Sequence, residues 1–279
     1  MRLTTARRRR RIAVVVRTLA AAALTLFFLF PIYWLFMISF KTAEEIFSYP
    51  PKWWPGQLRF DTYAVLFKDG DAVTVWNSLV VAGASTLLAM LLGTLCAYSL
   101  ARFRTGGEHL SNWIISQRMV PPIAVVFPIF LLYVLLGWVD TYVGLVLLYT
   151  AFNLPYVIWM MRGYILDIPP SLEEAALVDG CTRWQVFWKV VLPMTRAGLF
   201  ATAIFTFVFA WNEFLFALVF TRTEVTTYTV QVTHYFGGQS NFWAKISAMS
   251  VLGTVPIFIV VAFMQRYLVR GISLGAVKG

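Results

Sequence analysis

Few side chains in this sequence have the type and spacing that catalysis or metal binding requires. The two histidines, His109 and His234, lie far apart in the chain. The sequence contains no H-E-x-x-H, G-x-S-x-G or G-x-x-x-x-G-K-S/T motif, which would supply a zinc site, an activated serine or a phosphate-binding loop. We therefore expect this chain not to be an enzyme, to hold no metal or other cofactor, and to hydrolyse no ATP itself.

The most organised polar segment runs from Ser171 to Pro193 and reads SLEEAALVDGCTRWQVFWKVVLP. Ser171 and Glu174 have the spacing of a capping box, in which two side chains bond to the free backbone groups at a helix start. Leu172, Ala175 and Ala176 form an apolar stripe at helical spacing. Gly180 is suited to end this helix, because glycine readily adopts the left-handed conformation found there.

A second short helix is predicted from about Thr182 to Pro193. Its apolar side recurs at helical spacing and consists of Trp184, Phe187, Trp188 and Val191. The segment therefore forms a helix, a bend and another helix, with one apolar face. Such a pair suits either the lipid headgroup layer or a groove on a partner protein, and the pattern alone does not choose between them.

The rest of the chain is far more apolar than a soluble domain. Hydrophobic residues make up 59% of the chain and charged residues 13%, against about 45–50% and about 25% in soluble domains. Each pass through a bilayer needs about 20 apolar residues. We predict an all-α, polytopic membrane protein with six transmembrane helices at residues 18–40, 75–101, 119–137, 142–161, 198–220 and 246–268.

The net charge of +10 is explained by orientation and not by nucleic-acid binding. If both termini are cytoplasmic, most of the Lys and Arg residues fall on the cytoplasmic side, as the positive-inside rule requires. This topology predicts a basic tail (1–17), a membrane domain (18–268) and a C-terminal tail (269–279). Residues 163–197 are then a cytoplasmic loop, and residues 41–76 and 221–245 are outer loops.

Polar and proline residues within the predicted spans mark places of interest. Glu213 is a carboxylate inside the fifth span, beside Trp211 and Asn212, and these three either line a solute pathway or serve as structural polar packing. Pro121, Pro122 and Pro128 kink the third span, either beside a pathway or as a static feature. The aromatic-rich outer loop 41–76 is either an interfacial belt or a small folded cap. Cys96 and Cys181 are expected not to pair.

The segment 171–193 also carries a spacing pattern that is specific to one protein family. Glu174-Ala175-Ala176, three residues, Gly180, nine residues, Val190, one residue and Leu192-Pro193 resemble the EAA loop of ATP-binding-cassette importer permeases, with Val190 where Ile is usual. Three further stretches resemble the G-type subunit of the maltose-type carbohydrate-uptake branch: NLPYVIWMMRGYILDIPPSLEEAALVD (153–179), FAWNEFLFAL (209–218) and QRYLVRGISLGAVKG (265–279).

The resemblance implies specific roles for residues of this chain. It assigns docking to a cytoplasmic ATPase to Glu174, Ala175, Ala176, Asp179 and Gly180. It suggests that the last outer loop meets an extracytoplasmic solute-binding protein through Tyr235, Gly237, Gly238 and Gln239. It also suggests that the C-terminal tail contacts the ATPase subunits through Arg270, Gly275 and Lys278.

The same resemblance implies the partners and the function. We expect a multi-pass protein of the bacterial cytoplasmic (inner) membrane that pairs with a second permease subunit and two ATPase subunits, which bind the ATP and Mg. Alternating access would carry a sugar delivered by the binding protein. A polyol, glycerol phosphate or another non-sugar solute is the alternative, and a membrane sensor or scaffold whose flat helices lie on lipid is a more remote one.

Overall fold

The computed structural model describes residues 2–237 and 242–275 of the chain, and the side chains of residues 12–237 and 242–263. Across these ranges every regular element is helical. In chain order the α-helices are α1 Arg2–Ile38, α2 Ala43–Ile46, α3 Asp61–Lys68, α4 Val73–Arg102, α5 Gly107–Ser116, α6 Pro122–Leu136, α7 Tyr142–Leu166, α8 Pro170–Val178, α9 Arg183–Val186, α10 Leu192–Met194, α11 Arg196–Trp211, α12 Leu215–Phe220, α13 Tyr228–His234 and α14 Phe242–Gly275. A 3₁₀ turn at Gln117–Met119 and a π turn at Phe187–Val191 complete the set.

Four segments within these helices are long and apolar enough to cross a membrane: Ile12–Ile38, Val73–Arg102, Tyr142–Leu166 and Phe242–Phe263. They contain most of the predicted first, second, fourth and sixth spans. Two further spans are obtained only if each of two bent helix pairs crosses the membrane as one unit. The chain is thus a polytopic helical membrane protein, with four continuous spans and up to six in all.

The predicted third and fifth spans are not continuous helices. Helix α6 has 15 residues and is about 22 Å long, which is shorter than the bilayer core of about 30 Å. It lies at 93° to the preceding helical segment Gly107–Met119, which consists of α5 and the 3₁₀ turn. Pro122 begins α6 at its first turn, where proline fits because no N–H donor is needed. The fifth span is interrupted between Trp211 and Leu215. The prolines predicted a kink in the third span, whereas the interruption of the fifth span was missed because hydropathy alone does not register a change of backbone direction.

The chain divides into two compact units, of which the first comprises residues 1–70 and 235–251. Within this unit, the loop after α1 is folded, which agrees with the small folded cap that was one of the two alternatives for residues 41–76. Thr42 and Glu45 form a capping box on α2, and Glu45 Oε1 also accepts a hydrogen bond of 2.8 Å from the backbone N–H of Gly56. That bond holds the pKa of Glu45 below its ordinary value. Trp53 is 59% exposed, as an interfacial ring would be.

The second unit comprises residues 71–234 and 252–279, and helices α4 and α7 form its centre. Small residues allow these two helices to approach closely. A Cβ atom at Gly93 would lie 2.6 Å from Cγ1 of Val157, so glycine is required there for the observed packing. One apolar cluster includes Val81, Leu148 and Phe220, and a second, which includes Tyr98, Met161 and Phe187, packs around the segment 163–197.

Candidate functional site

Helix α8 begins with proline and not with the predicted capping box. Pro169 is the N-cap residue, Pro170 lies in the first turn, and no side chain bonds to the free N–H groups there. Ser171 is therefore inside the helix, and its predicted capping role with Glu174 is wrong. Pro170 replaces the cap, because its fixed φ suits the first helical position and its missing N–H would have had no partner there.

Gly180 ends α8 as predicted. Its φ of +86° lies in the left-handed region, where a side chain would be strained. The N–H of Gly180 donates to Leu177 O at 3.0 Å, and the N–H of Cys181 donates to Ala176 O at 3.0 Å. These two bonds are the pair that defines a Schellman motif, so the bend between the two short helices is fixed by backbone hydrogen bonds.

The second half of the segment begins as predicted and ends differently. Thr182 and Gln185 form a capping box at the start of α9. The helix then widens into the π turn, in which Leu192 N donates to Phe187 O. Pro193 follows immediately and cannot donate to Lys189 O, so a wider turn accommodates its ring. Pro193 does not stop the helix; the chain bends by 76° between Arg183–Met194 and Arg196–Trp211, at Thr195.

The buried side of α8 differs from its predicted apolar stripe. Glu173 is 4% exposed, and Ala176 and Leu177 pack against the apolar cluster. Of the predicted apolar stripe, Leu172 and Ala175 are solvent-exposed and Ala176 is half-buried. The exposed surface of α8 and its C-terminal turn instead consists of Leu172, Glu174, Ala175, Val178, Asp179 and Gly180.

Glu173 makes polar contacts that sequence reasoning missed. One carboxylate oxygen accepts a hydrogen bond of 2.9 Å from the hydroxyl of Tyr98, and the other pairs with the guanidinium of Arg102. The same guanidinium donates to Ile165 O at 2.8 Å and Ile168 O at 2.9 Å. We call Tyr98, Arg102 and Glu173 the latch. The sequence does show Arg102 at the end of one predicted helix and the adjacent Glu173 and Glu174 in another. No pattern, however, indicates which of the two glutamates is buried.

The fifth span is interrupted where Glu213 bonds to the chain's own backbone. The carboxylate accepts hydrogen bonds from Phe216 N at 3.0 Å and Ala217 N at 3.1 Å, which are free N–H groups in the first turn of α12. A carboxylate at this place satisfies those donors and complements the helix dipole. Glu213 thus has a structural role, as one of the two alternatives predicted, and that role is to cap the start of α12.

The two neighbours of Glu213 lie in different environments. Trp211 is 1% exposed, and its Nε1 donates to Gly253 O at 3.1 Å; its ring stacks on Phe207 and Tyr228. Trp211 is therefore a packing residue, and its predicted place in a pathway wall is wrong for this structure. Asn212 is exposed and donates to Val208 O within its own helix.

Glu213 also lines a cavity of about 350 Å³ at both interruptions of the spans. The wall combines polar and aromatic side chains: Gln117, Arg118, Tyr149, Phe152, Asn153, Phe209, Glu213 and Phe216, together with Val120 and Pro122. Arg118 donates to Phe152 O at 2.9 Å, and its guanidinium carbon lies 4.9 Å from the centre of the Phe209 ring. The cavity is thus lined by one cationic and one anionic side chain.

At the end of α7 opposite the latch, Asp140 anchors the start of the predicted outer loop 221–245. Its carboxylate accepts hydrogen bonds from the backbone N–H groups of residues 222–225, at 2.9 to 3.2 Å. Partial burial by itself raises the pKa of Asp140, but the four N–H donors outweigh it and hold the pKa below its ordinary value. Asn77 adds a hydrogen bond of 3.1 Å to Thr226 O. The loop therefore starts from a fixed position.

The remaining predicted contact residues have varied outcomes. Tyr235 is 9% exposed, so it does not present its ring as a contact surface, and that assignment is wrong for this structure. Gly237 has a φ of +81°, which glycine tolerates and other residues rarely do. Gly238, Gln239 and Lys278 lie outside the described residues, as do the side-chain surroundings of Arg270 and Gly275.

Comparison with known proteins identifies the family. Residues 89–274 match the sequence model of the protein family described as binding-protein-dependent transport system inner membrane component. This chain belongs to that family. The permease is 35% identical over 257 residues to the trehalose transport system permease protein SugB of Mycobacterium tuberculosis, covering 90% of this chain and 93% of that protein. It is 32% identical over 257 residues to the trehalose/maltose transport system permease protein MalG of Thermococcus litoralis, covering 90% of this chain and 92% of that protein.

A solved structure supports the fold of the permease. A bacterial ABC transporter chain involved in the import of the acidic polysaccharide alginate superposes with a TM-score of 0.76, at 24% identity, covering 92% of this chain and 96% of that one. The helical arrangement is thus one that also occurs in a bacterial importer.

Family membership settles the class of protein. The permease is a multi-pass inner-membrane transport subunit and not an enzyme, as its lack of catalytic motifs indicated. It works with an ATPase and with a solute-binding protein, because the family serves binding-protein-dependent ABC importers. The carbohydrate-uptake branch, to which the sequence bore a resemblance, contains both of the relatives described above.

Proposed function

We propose that the permease forms half of the membrane channel of a carbohydrate importer, and that a second, different permease subunit forms the other half. The observation that carries this proposal is the likeness along 90% of the chain to permeases named for trehalose and maltose. The solute would reach the channel from an extracytoplasmic binding protein. Neutral disaccharides are the first solutes to test.

The cavity at the two helix interruptions is our candidate for part of the solute pathway. Irregular backbone at membrane depth is tolerated where it is buried in protein or lines a watered cavity, and interrupted helices often border transport sites. Here Asn153 and Arg118 offer hydrogen-bonding groups beside the aromatic rings of Phe152 and Phe209. Aromatic faces with nearby polar groups suit a sugar ring, which has apolar faces and a hydroxyl rim.

Because Arg118 and Glu213 both line this cavity, its formal charge sums to zero. A net-neutral wall with donors and acceptors favours an uncharged, hydroxyl-rich solute over an acidic one. Glu213 thus combines a capping role with a place in the wall. Asn212, whose side chain bonds within its own helix, is left out of the proposed wall.

We assign the docking of the ATPase to the exposed surface of α8. Glu174, Ala175, Asp179 and Gly180 are exposed there, and Ala176 is half-buried beneath them. Small residues permit close approach of a partner, and Glu174 and Asp179 offer charge for its basic groups. Val178 is 88% exposed, which supplies an apolar contact at the centre of this surface.

Orientation and partners complete the proposal. Both termini and the segment 163–197 would be cytoplasmic, with the Asp140 end of the helices outside. Two ATPase subunits would bind ATP and Mg, and this chain would bind neither. Gly237, Gly238 and Gln239 would meet the binding protein, and Arg270, Gly275 and Lys278 would contact the ATPase subunits.

Reconstitution tests the proposal. The permease would be co-expressed with its second permease, its ATPase and its binding protein, and placed in proteoliposomes. We expect ATP-dependent uptake of radiolabelled trehalose or maltose and an ATPase rate that rises when the loaded binding protein is added. Uptake of a polyol or of glycerol phosphate, without sugar uptake, would favour the alternative solute. An ATPase that never co-purifies would favour the sensor or scaffold.

A further inference from the structure

We infer that the latch makes α8 move as one body with α4 and α7, so that force applied to α8 reaches the membrane helices without slippage. The inference rests on the proposed docking of the ATPase on α8 and names the residues that pass its motion onward. Tyr98, Arg102 and Glu173 are positioning residues in this sense, since none of them lies on the exposed docking surface.

The geometry of Arg102 ties three elements together. Arg102 is the last residue of α4, and its guanidinium bonds to Glu173 on α8. The same group donates to Ile165 O, in the last turn of α7, and to Ile168 O in the connection that follows. A planar guanidinium has its donors at fixed angles. Satisfying these acceptors together therefore fixes the relative position of the three helices.

Burial makes the latch hard to open. The side chains of Arg102 and Glu173 are 11% and 5% exposed, so separating them would leave a charged group in a largely dry environment without its partner. Tyr98 is 8% exposed and holds the second oxygen of Glu173. Exposed ion pairs, such as Arg59 with Asp61, carry no such penalty because water replaces the partner.

Apolar packing alone would not provide the same restraint. The ring of Tyr98 lies 5.1 Å from that of Phe187, and the surrounding cluster holds residues 165–191 against α4 and α7. Apolar contacts have no preferred direction, so they permit small sliding movements between helices. Charge-assisted hydrogen bonds do have one. The cluster thus keeps α8 in contact with the membrane helices, and the latch fixes its position along them.

The latch lies directly beneath the docking surface. Glu173 precedes Glu174 in the sequence, and the two belong to the same helical turn with opposite exposure. A push on Glu174 or Gly180 therefore acts on a helix whose opposite side is bonded to the end of α4. Because α4 spans the membrane, movement at the docking surface becomes movement of that span.

Glu173→Gln tests the latch in the reconstituted complex with its ATPase, second permease and binding protein. The substitution keeps the size of the side chain and removes its charge. We expect the amount of trehalose or maltose taken up per ATP hydrolysed to fall by about fivefold or more, because coupling between two sites typically changes an equilibrium by at least that factor. Glu108→Gln, an exposed glutamate at the start of α5, is the matched control and should keep the wild-type ratio.

A second pair of measurements separates coupling from folding. The ratio is measured on equal amounts of assembled complex, and the thermal unfolding midpoint of each variant is recorded. Arg102→Gln and the double variant Arg102→Gln/Glu173→Gln should give the same reduced ratio as Glu173→Gln alone, because residues that act as one unit do not add. Tyr98→Phe, which removes one hydrogen bond only, should give a smaller fall in the same ratio.

The outcomes distinguish this inference from the proposed function. If wild-type complex is coupled and Glu173→Gln keeps the wild-type ratio, the latch does not transmit force and the inference is wrong. The same holds if the unfolding midpoint falls while the ratio is unchanged, since the latch is then structural only. If the wild-type complex shows no uptake and no ATPase stimulation, the proposed function fails instead.

Discussion

Glu173 and Glu174 are adjacent in the sequence and face opposite environments. Glu173 is 4% exposed and pairs with Arg102, whereas Glu174 is exposed on the other side of α8. Successive residues on a helix point about 100° apart, so a pair of neighbours can serve one internal and one external partner. The internal partner fixes α8 to the membrane helices, and the external carboxylate is free for a second protein.

Replacing Gly180 by alanine should disturb the bend that shapes the docking surface. A side chain in the left-handed region costs roughly 1–2 kcal/mol, and no neighbouring atom obstructs it, so the cost comes from backbone conformation alone. We expect Gly180→Ala to lower the binding-protein-stimulated ATPase rate of the assembled complex. Gly163→Ala, at a helical glycine with equally open surroundings, is the control, and an equal loss in both variants would contradict a conformational requirement at Gly180.

Close packing of α4 on α7 predicts a second difference between two glycines of one helix. A Cβ at Gly93 would lie 2.6 Å from Val157 Cγ1, whereas nothing lies within 4 Å of a Cβ at Gly83. Overpacking of this kind costs about 1–3 kcal/mol. Gly93→Ala should therefore lower the thermal unfolding midpoint in detergent, and Gly83→Ala should leave it unchanged or raise it. Equal midpoints for the two variants would show that α4 and α7 approach less closely than described.

The helix cap made by Glu213 predicts different effects for two neighbouring substitutions. Glu213→Ala removes the acceptor of two backbone N–H groups of α12 and should cost about 0.5–2 kcal/mol of stability. Asn212→Ala removes only a bond within its own helix, so we expect unchanged sugar uptake and an unchanged unfolding midpoint. Thermal unfolding and uptake would be measured on both. A clear loss of uptake in Asn212→Ala at normal stability would restore Asn212 to the pathway wall.

The anchor at Asp140 predicts a pH dependence. Because four backbone N–H groups hold its folded-state pKa below the unfolded value, the carboxylate stabilises the fold at pH values above its ordinary pKa of about 3.9. This stabilisation is lost as the pH falls through the lowered folded-state pKa. Asp140→Asn should lower the unfolding midpoint near neutral pH and reduce its loss on acidification. Asp61→Asn is the control, and parallel pH profiles for wild type and Asp140→Asn would contradict the anchor.

Local patterns predicted most of the parts of the molecule that depend on local physics, although the capping box predicted at Ser171 was wrong. Helix ends at Gly180 and Thr182 follow from backbone chemistry within a few residues, and the long apolar runs follow from bilayer thickness. The inward turn of Glu173 depends on Arg102, and the anchoring role of Asp140 depends on residues 222–225. Both pairings join distant positions in the chain, and a single sequence carries no record of which distant groups meet.

The interruption of the fifth span was hidden for a related reason. Hydropathy measures the transfer of side chains and not the direction of the backbone, so residues 212–214 passed as part of a continuous apolar run, whereas the prolines predicted a kink in the third span. The sequence showed Glu213 as an unusual carboxylate within a span. Its partners, however, are backbone N–H groups that are free to bond a side chain only because a new helix starts there. Trp211 was a candidate for the pathway wall, but its side chain is buried and its Nε1 donates to Gly253 O.

The contact between α8 and the ATPase is tested most directly by site-specific photo-cross-linking. A benzophenone amino acid would replace Val178, which is 88% exposed on the docking surface, and in a control would replace Tyr49, which is 96% exposed in the loop 41–76. In the complete complex in membranes, we expect the probe at Val178 to cross-link to the ATPase subunit and the probe at Tyr49 not to do so. Cross-links from Val178 to lipid alone, in a complex that retains its ATPase, would contradict the docking of the ATPase on α8.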